Sequence, residues 1–303
     1  MKYLQNVTKS IKSTKSTSCH SLLVLFTLFF VSFHATAQNQ SHPYYGSAFS
    51  TQKNQLKDEA LKDALKTILK SGHIQNSEFQ YDKIVPNCDS TSGCVMQTAY
   101  GYDRAREFLF GRFYLVQDGS TYGIKEMYCD RIYTDADFKR GLNGPAPGIV
   151  PDGTVINVEH TWPQSRFTGN YSKEMQKSDM HHLFPTDSQL NSLRGNTIFG
   201  EVVRDSNKTK CSVSKYGQGQ GTTRDVFEPP QSHKGRVARA LFYFSVRYDL
   251  AISPEEEVIL KKWHHDMPVD AQEAQRNEAI QKLQGNRNPF IDYPELVDQI
   301  ADF

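Results

Sequence analysis

The chain has 303 residues, 38% of them hydrophobic and 23% charged, with 35 basic residues against 34 acidic. That length supports one sizeable core without requiring a second domain, and no internal repeat is present. So even a balance excludes holding a polyanion by overall attraction; any phosphate binding must rest on a local basic patch.

Residues 1–19 carry Lys2, Lys9, Lys12 and Lys15 and no acid, and the apolar run SLLVLFTLFFVSF follows, just ahead of Ala35-Thr36-Ala37. A basic start, a short apolar stretch and an A-x-A site describe a secretory signal peptide, with cleavage expected after Ala37. The run falls short of the roughly 20 residues that span a bilayer, and no other stretch is long and apolar enough to cross one. Cleavage removes four lysines and leaves 31 basic and 34 acidic residues, a formal net charge of −3. A secreted or periplasmic chain is expected.

Residues 38–55 are polar and read as a loose lead-in to a domain spanning 56–303. Residues 58–73 place Leu61, Leu65, Ile68 and Leu69 on one face of an amphipathic helix. Cys19 lies in the signal, which leaves Cys88, Cys94, Cys129 and Cys211. Four cysteines in an exported chain suggest two disulfides, with three possible pairings. The short NCDSTSGC stretch favours Cys88–Cys94 and so leaves Cys129–Cys211; the spacings match no zinc pattern. Residues 101–115 read as a second helix and residues 122–134 as a strand.

TVINV (154–158) is β-branched and alternating, hence a strand. Pro163 disfavours helix at Trp162, so the strand should end near Glu159-His160. Adjacent strand residues point to opposite faces, so these two converge on one site only if the backbone kinks there. Downstream, Thr186-Asp187-Ser188-Gln189 has the form of a capping box. A helix starting at Thr186 puts Asn191 and Arg194 on one face, and Gly195 is placed to end it. A carboxylate and an amide oxygen are hard ligands suited to Mg²⁺, and a neighbouring imidazole takes a proton from water. With an arginine, these are the parts needed to hydrolyse a phosphodiester.

Arg204, Lys208, Lys210, Lys215 and Arg224 in the following loop, and Lys234, Arg236, Arg239 and Arg247 beyond it, are candidates for a basic patch. The glycine-rich stretch 216–223 lacks a phosphate-loop signature and reads as a flexible connection. Residues 234–250 form the most hydrophobic helix, with Val237, Leu241, Phe244 and Tyr248 as a core stripe. Residues 254–266 and 270–285 are amphipathic helices, the first with acids early and lysines later, which suits the helix dipole. A short helix closes the chain. The expected fold is α+β, mainly helical, with a small antiparallel sheet carrying the site.

The stretches VEHTWPQS, SDMHHLFPTDSQLNSLRGN and FGE, with KGRVARALFYF and QRNEAIQKLQGNRNPFIDYPEL further on, resemble the endonuclease I family. These are secreted, sugar-nonspecific nucleases built around a ββα-metal (His-Me finger) motif. The resemblance runs from about residue 100 to the C-terminus. It implies His160 as general base, Glu159 and Asn191 as protein ligands of one Mg²⁺, and Ca²⁺ or Mn²⁺ as substitutes. It further implies DNA and RNA as substrates, cut with little sequence preference to 5′-phosphate and 3′-hydroxyl ends by a monomer. Two departures stand out. Better-known members carry a long cysteine-containing insertion with a phosphate-touching arginine, where this chain has only the short connection Ser165 to Ser178; Arg166 and Arg194 are the replacements on offer. The family's usual asparagine after Asp-Met-His is here His182, and with His181 it reads as hydrogen-bonding scaffold rather than a zinc site. An RNA-restricted nuclease, another secreted metal-dependent phosphoesterase and an inactive nucleic-acid-binding module are the alternatives.

Overall fold

A computed structural model describes residues 42–75, 80–88 and 93–303; the signal peptide and its cleavage site lie outside them. Helix α1 (Gly46–Gln52) precedes α2 (Asp58–Lys70), whose Leu61, Leu65, Ile68 and Leu69 are buried as their spacing predicts. From His42 onward the expected lead-in is ordered rather than loose. Tyr44, Tyr45 and Phe49 are buried in the same core as α2, and the Tyr45 hydroxyl donates to Asp292 Oδ2 at 2.6 Å. Three aromatics outweigh the polar composition around them.

Strands β1 (Gly72–Ile74), β2 (Lys83–Val85) and β3 (Cys94–Val95) form an antiparallel sheet in the order β2-β1-β3, with Cys88 bonded to Cys94. Helix α3 (Tyr102–Phe108) runs on into one π-helical turn, Leu109–Phe113. Gly111 is required in that turn: a Cβ there would sit 2.7 Å from the backbone of Gly148. A meander of β4 (Leu115–Asp118), β5 (Thr121–Lys125) and β6 (Ile132–Thr134) follows. The single strand expected over 122–134 is therefore a hairpin. Glu126 makes it turn, its carboxylate accepting from the backbone N–H of Tyr128 at 2.9 Å and of Cys129 at 2.6 Å. Cys129 is bonded to Cys211, the second expected pairing.

Strand β7 (Ile156–His160), helix α4 (Lys173–Lys177), strand β8 (Leu183–Asp187) and helix α5 (Ser188–Arg194) come next, with β7 and β8 antiparallel. Strands β9 (Val202–Asp205), β10 (Lys215–Gly219) and β11 (Asp225–Glu228) make a further antiparallel sheet, in the order β11-β10-β9. The chain ends in α6 (Gln231–Tyr248), α7 (Pro254–Asp266), α8 (Ala271–Gln284), α9 (Pro289–Asp292) and a 3-10 turn. Mixed helices and small antiparallel sheets make this an α+β fold.

Helix α6 is buried almost all round, as a helix at the centre of a core must be. Leu241 and Phe244 pack with Trp162, α2 and the C-terminus, while Ala240 packs with Ile156, Met180 and Phe184 on the β7–β8 side. Helix α8 departs from its expected amphipathic pattern: its buried face is largely polar, formed by Glu273, Arg276, Asn277 and Gln284 with Ile280. Each of these polar side chains has a specific partner. Glu273 receives Arg239 Nε and Nη2 at 2.7 and 2.6 Å, and Arg276 donates to the carbonyls of Met180 and Leu183. The C-terminal region thereby clamps the segment that leads into β8.

Candidate active site

Strand β7 presents Glu159 and His160 in succession, and the β7–β8 ladder stays regular through Glu159↔Phe184 and His160↔Leu183. No break in pairing accompanies the kink expected there. Both residues nonetheless border one cleft of about 440 Å³, which Asn191 also lines. The strand stops at His160, and Pro163, Gln164 and Ser165 turn back to form another wall.

Helix α5 is capped one residue later than the capping box suggests. Thr186 stays in β8, paired with Asn157, and Asp187 is the cap: its Oδ1 accepts from the N–H groups of Gln189 and Leu190, each at 3.0 Å. A carboxylate that satisfies two of the helix's free N–H groups wins the position. Gly195 ends the helix, as expected, with its N–H on the Asn191 carbonyl at 2.9 Å.

The face of α5 that meets β7 carries both expected side chains, which part company there. Asn191 Nδ2 donates to Asn157 Oδ1 at 2.8 Å and to the Val158 carbonyl at 3.2 Å. Two acceptors fix the amide orientation and leave Oδ1 without a hydrogen-bond donor among the described residues. Arg194 is 1% exposed and does not line the cleft. Its Nη1 pairs with Glu159 Oε1 at 2.7 Å and reaches the His160 carbonyl at 3.1 Å, while Nη2 donates to the Thr161 carbonyl at 2.7 Å. The expected phosphate contact at Arg194 is thus replaced by an internal brace on the strand end. Arg166 is about one-third exposed; it donates to the Asn196 carbonyl at 2.6 Å and approaches Glu256 at 3.6 Å.

Burial dominates the charge states here. It raises the Glu159 pKa to about 7, against the pull of Arg194 and the Tyr128 hydroxyl. Burial also lowers the His160 pKa to about 4, opposed by a hydrogen bond to Lys177 and assisted by the Lys177 and Arg194 charges. His160 Nε2 lies 3.1 Å from the Lys177 carbonyl. A carbonyl only accepts, so Nε2 carries the proton and Nδ1 keeps its lone pair, 3.4 Å from the Gln164 amide. The Tyr102 ring stacks on the imidazole with centroids 5.4 Å apart. Gln164, Tyr102 and the Lys177 carbonyl are the site groups that sequence reasoning passed over. Gln164 lies within VEHTWPQS, whereas nothing in the sequence connects Tyr102 or a backbone carbonyl to His160.

His181 and His182 are buried and bond through Nε2 to the carbonyls of Asn286 (3.2 Å) and Gln176 (2.9 Å). Asp179, just before them and fully buried, accepts from the Tyr243 and Tyr248 hydroxyls, Gln97, Gln284 and the His181 N–H. Burial alone raises the Asp179 pKa, yet His181, His182 and these donors bring it below the ordinary carboxylate value. Burial lowers the pKa of His182 to about 3. Between that value and an ordinary 6.5, the unfolded chain takes up a proton that the folded chain refuses. Stability therefore falls as pH falls through this window, by on the order of 1.4 kcal/mol per pH unit. Glu126, Glu159 and Glu256 have raised pKa values and act in the opposite sense, so a comparison isolates the histidine. Urea unfolding of His182→Asn against pH is expected to show a shallower acid-side loss than the parent; equal slopes would refute a buried neutral imidazole.

The proposed basic patch divides by element. On α6, Lys234, Arg236 and Arg239 are committed to Glu228, Asp270 and Glu273, and Arg247 is 4% exposed. In the loop, Lys210 pairs with Asp187 at 2.5 Å and Lys208 lies over the Tyr216 ring, while Arg204 is exposed.

The model of the endonuclease I family matches residues 57–295. An extracellular ribonuclease of Bacillus subtilis (strain 168) is 37% identical over 187 residues, 56% of this chain and 60% of that protein. An extracellular deoxyribonuclease of Aeromonas hydrophila is 34% identical over 120 residues, covering 38% of this chain and 49% of its own. A periplasmic deoxyribonuclease of the same organism is 33% identical over 149 residues, 48% of this chain and 61% of that protein. The matches thus span about half to three-fifths of these relatives' lengths. No helix among the described residues is long and apolar enough to cross a membrane. The match over residues 57–295 places the chain in the endonuclease I family.

Proposed function

We propose that this chain is a secreted, Mg²⁺-dependent endonuclease that hydrolyses phosphodiester bonds of DNA and RNA. The observation that carries the proposal is the meeting of Glu159, His160 and Asn191 at one cleft, with an imidazole lone pair and an uncommitted amide oxygen. In this reading β7, β8 and α5 make up the ββα-metal motif. The names of the relatives, one a ribonuclease and others deoxyribonucleases, support both sugar classes, and their extracellular or periplasmic description supports export.

His160 does the proton work. Its Nε2–H is fixed on the Lys177 carbonyl, so Nδ1 takes the proton from water as the water oxygen attacks phosphorus. The bond from phosphorus to the 3′ oxygen breaks, which leaves 5′-phosphate and 3′-hydroxyl ends. A pKa of about 4 keeps the imidazole neutral, and so able to accept, throughout the physiological range.

The donor set fits one hard divalent cation. Glu159 supplies a buried carboxylate, with Arg194 on Oε1, and Asn191 Oδ1 supplies a neutral oxygen in the same cleft. A Mg²⁺ ion held there would neutralise charge on the phosphate and the departing oxygen; Mn²⁺ or Ca²⁺ meet the same oxygen ligands. Arg194 keeps the Glu159 carboxylate oriented.

Digestion of duplex DNA, single-stranded DNA, RNA and a small phosphodiester, with and without EDTA, tests the reading. Cleavage of all three polymers that EDTA abolishes is expected. Cleavage of RNA alone would favour the narrower activity named for the Bacillus relative. Retention of DNA on a gel without shortening would mark a binding module instead.

A further inference from the structure

A second cavity, of about 660 Å³, opens between α2, the β2–β3 segment, α4 and α6. Lys66, Lys70, Asn87, Gln97 and Arg247 line it, and no acidic side chain does among the described residues. Arg247 is the unusual member. It is 4% exposed, it takes part in no salt bridge among the described residues, and its Nη1 has no hydrogen-bond partner. Leaving a buried guanidinium without a counter-charge is costly. Every other arginine of α6 has a carboxylate: Arg236 has Asp270 and Arg239 has Glu273.

The surroundings hold Arg247 in place without neutralising it. Its Nε donates to Gln97 Oε1, and Gln97 Nε2 is in turn held by Asp179 at 2.9 Å, which fixes the amide's direction. The rings of Tyr171 and Tyr248 lie 5.3 and 4.9 Å from the guanidinium carbon. Lys66 is already paired with Asp63 and Asp249, so the unspent positive charge at the cavity is that of Arg247 and the exposed Lys70. Two of the C-terminal carbonyls of α2, which would repel an anion, are engaged: Thr67 O accepts from Ser71 Oγ, and Ile68 O accepts from Ser71 N–H and His73.

We propose that this cavity is a phosphate-binding site, separate from the catalytic cleft, with the edge of the Arg247 guanidinium that borders it and Lys70 Nζ as its donors. Guanidinium and ammonium groups at a pocket with no acid among its described residues select a compact anion, and phosphate offers the oxygens to meet both. Its source is either free phosphate, as the ion or a mononucleotide, or a phosphate along a polynucleotide strand. The inference stands on this cavity and does not need the proposed hydrolysis. Met175 borders the cavity, and Lys177, in the same short helix, offers the carbonyl that holds His160.

Binding to the purified protein is measured in EDTA, with inorganic phosphate, a 5′-mononucleotide and a short single-stranded oligodeoxynucleotide as separate ligands and chloride of equal ionic strength as control. Arg247→Gln is expected to weaken the responding ligand by about tenfold or more, the usual size of a lost charge-assisted hydrogen bond. Lys70→Gln, at an exposed position, should weaken it severalfold without altering the fold. Should Arg247→Gln fail to fold, Lys70→Gln decides. A loss for phosphate and mononucleotide identifies a free-phosphate site, and a loss for the oligonucleotide alone identifies a strand-binding site; both support the proposal. Unchanged affinity for all three ligands in the folded variants overturns it. Cleavage of a small phosphodiester by Lys70→Gln should equal that of the parent, so loss of the proposed catalytic reading registers separately.

Discussion

His160→Ala is expected to lower phosphodiester cleavage by about 10²–10⁴-fold, the usual contribution of a general base, with thermal stability and Mg²⁺ binding largely kept. The imidazole contributes a lone pair at Nδ1 and a hydrogen bond at Nε2, and alanine removes both. Steady-state rates on duplex DNA, with calorimetric titration of Mg²⁺, make the measurement. Full activity in the variant would remove His160 from the mechanism. The pH profile adds a second check. With its pKa near 4, His160 sets no limb at an ordinary imidazole value, whereas Glu159, near 7 in the metal-free protein, exchanges its proton for the cation. The acid limb should move to lower pH as Mg²⁺ is raised. A limb fixed near 6.5 at every Mg²⁺ concentration would mean that His160 titrates as an exposed histidine does.

Arg194→Met is expected to destabilise the protein by about 3–5 kcal/mol, because it strands the Glu159 carboxylate in a buried site. For a chain of this size, that corresponds to a melting temperature lower by on the order of 10 °C. Activity should fall with it, since the same guanidinium holds the His160 and Thr161 carbonyls at the strand end. Adding Glu159→Gln should recover part of the lost stability while leaving the double variant inactive. A variant with unchanged melting temperature and reduced kcat would make Arg194 a phosphate contact after all, and the brace would be abandoned.

Local rules account for much of this molecule. The leucine spacing of α2, the β-branched run of β7, the apolar stripe of α6 and the glycine that ends α5 are all where the sequence places them. In each, the signal is a periodicity or a stop residue that acts on its immediate neighbours. The short spacing of Cys88 and Cys94 likewise points to their pairing, and with it to the other disulfide. Errors arose where a side chain works at a distance. Glu126 bends the 122–134 segment into a hairpin through N–H groups that include that of Asp187, far along the chain. Asp187 in turn takes the capping position from Thr186.

The ingredients of the site, Glu159, His160 and Asn191, were legible as residue types in an order that resembles a known family. Their environment was not. Whether an arginine meets solvent or braces a carboxylate is decided by packing, and Arg194 and Arg247 share a side chain while standing in opposite circumstances: one is paired with Glu159, the other has no carboxylate among the described residues. Sequence alone determined the longer helices, strand β7 and the set of chemical groups, because those follow from short-range periodicity. Only the tertiary structure decided which groups are desolvated, which nitrogen of His160 is free and which cation is unpaired, because burial and hydrogen bonding join residues far apart in the chain.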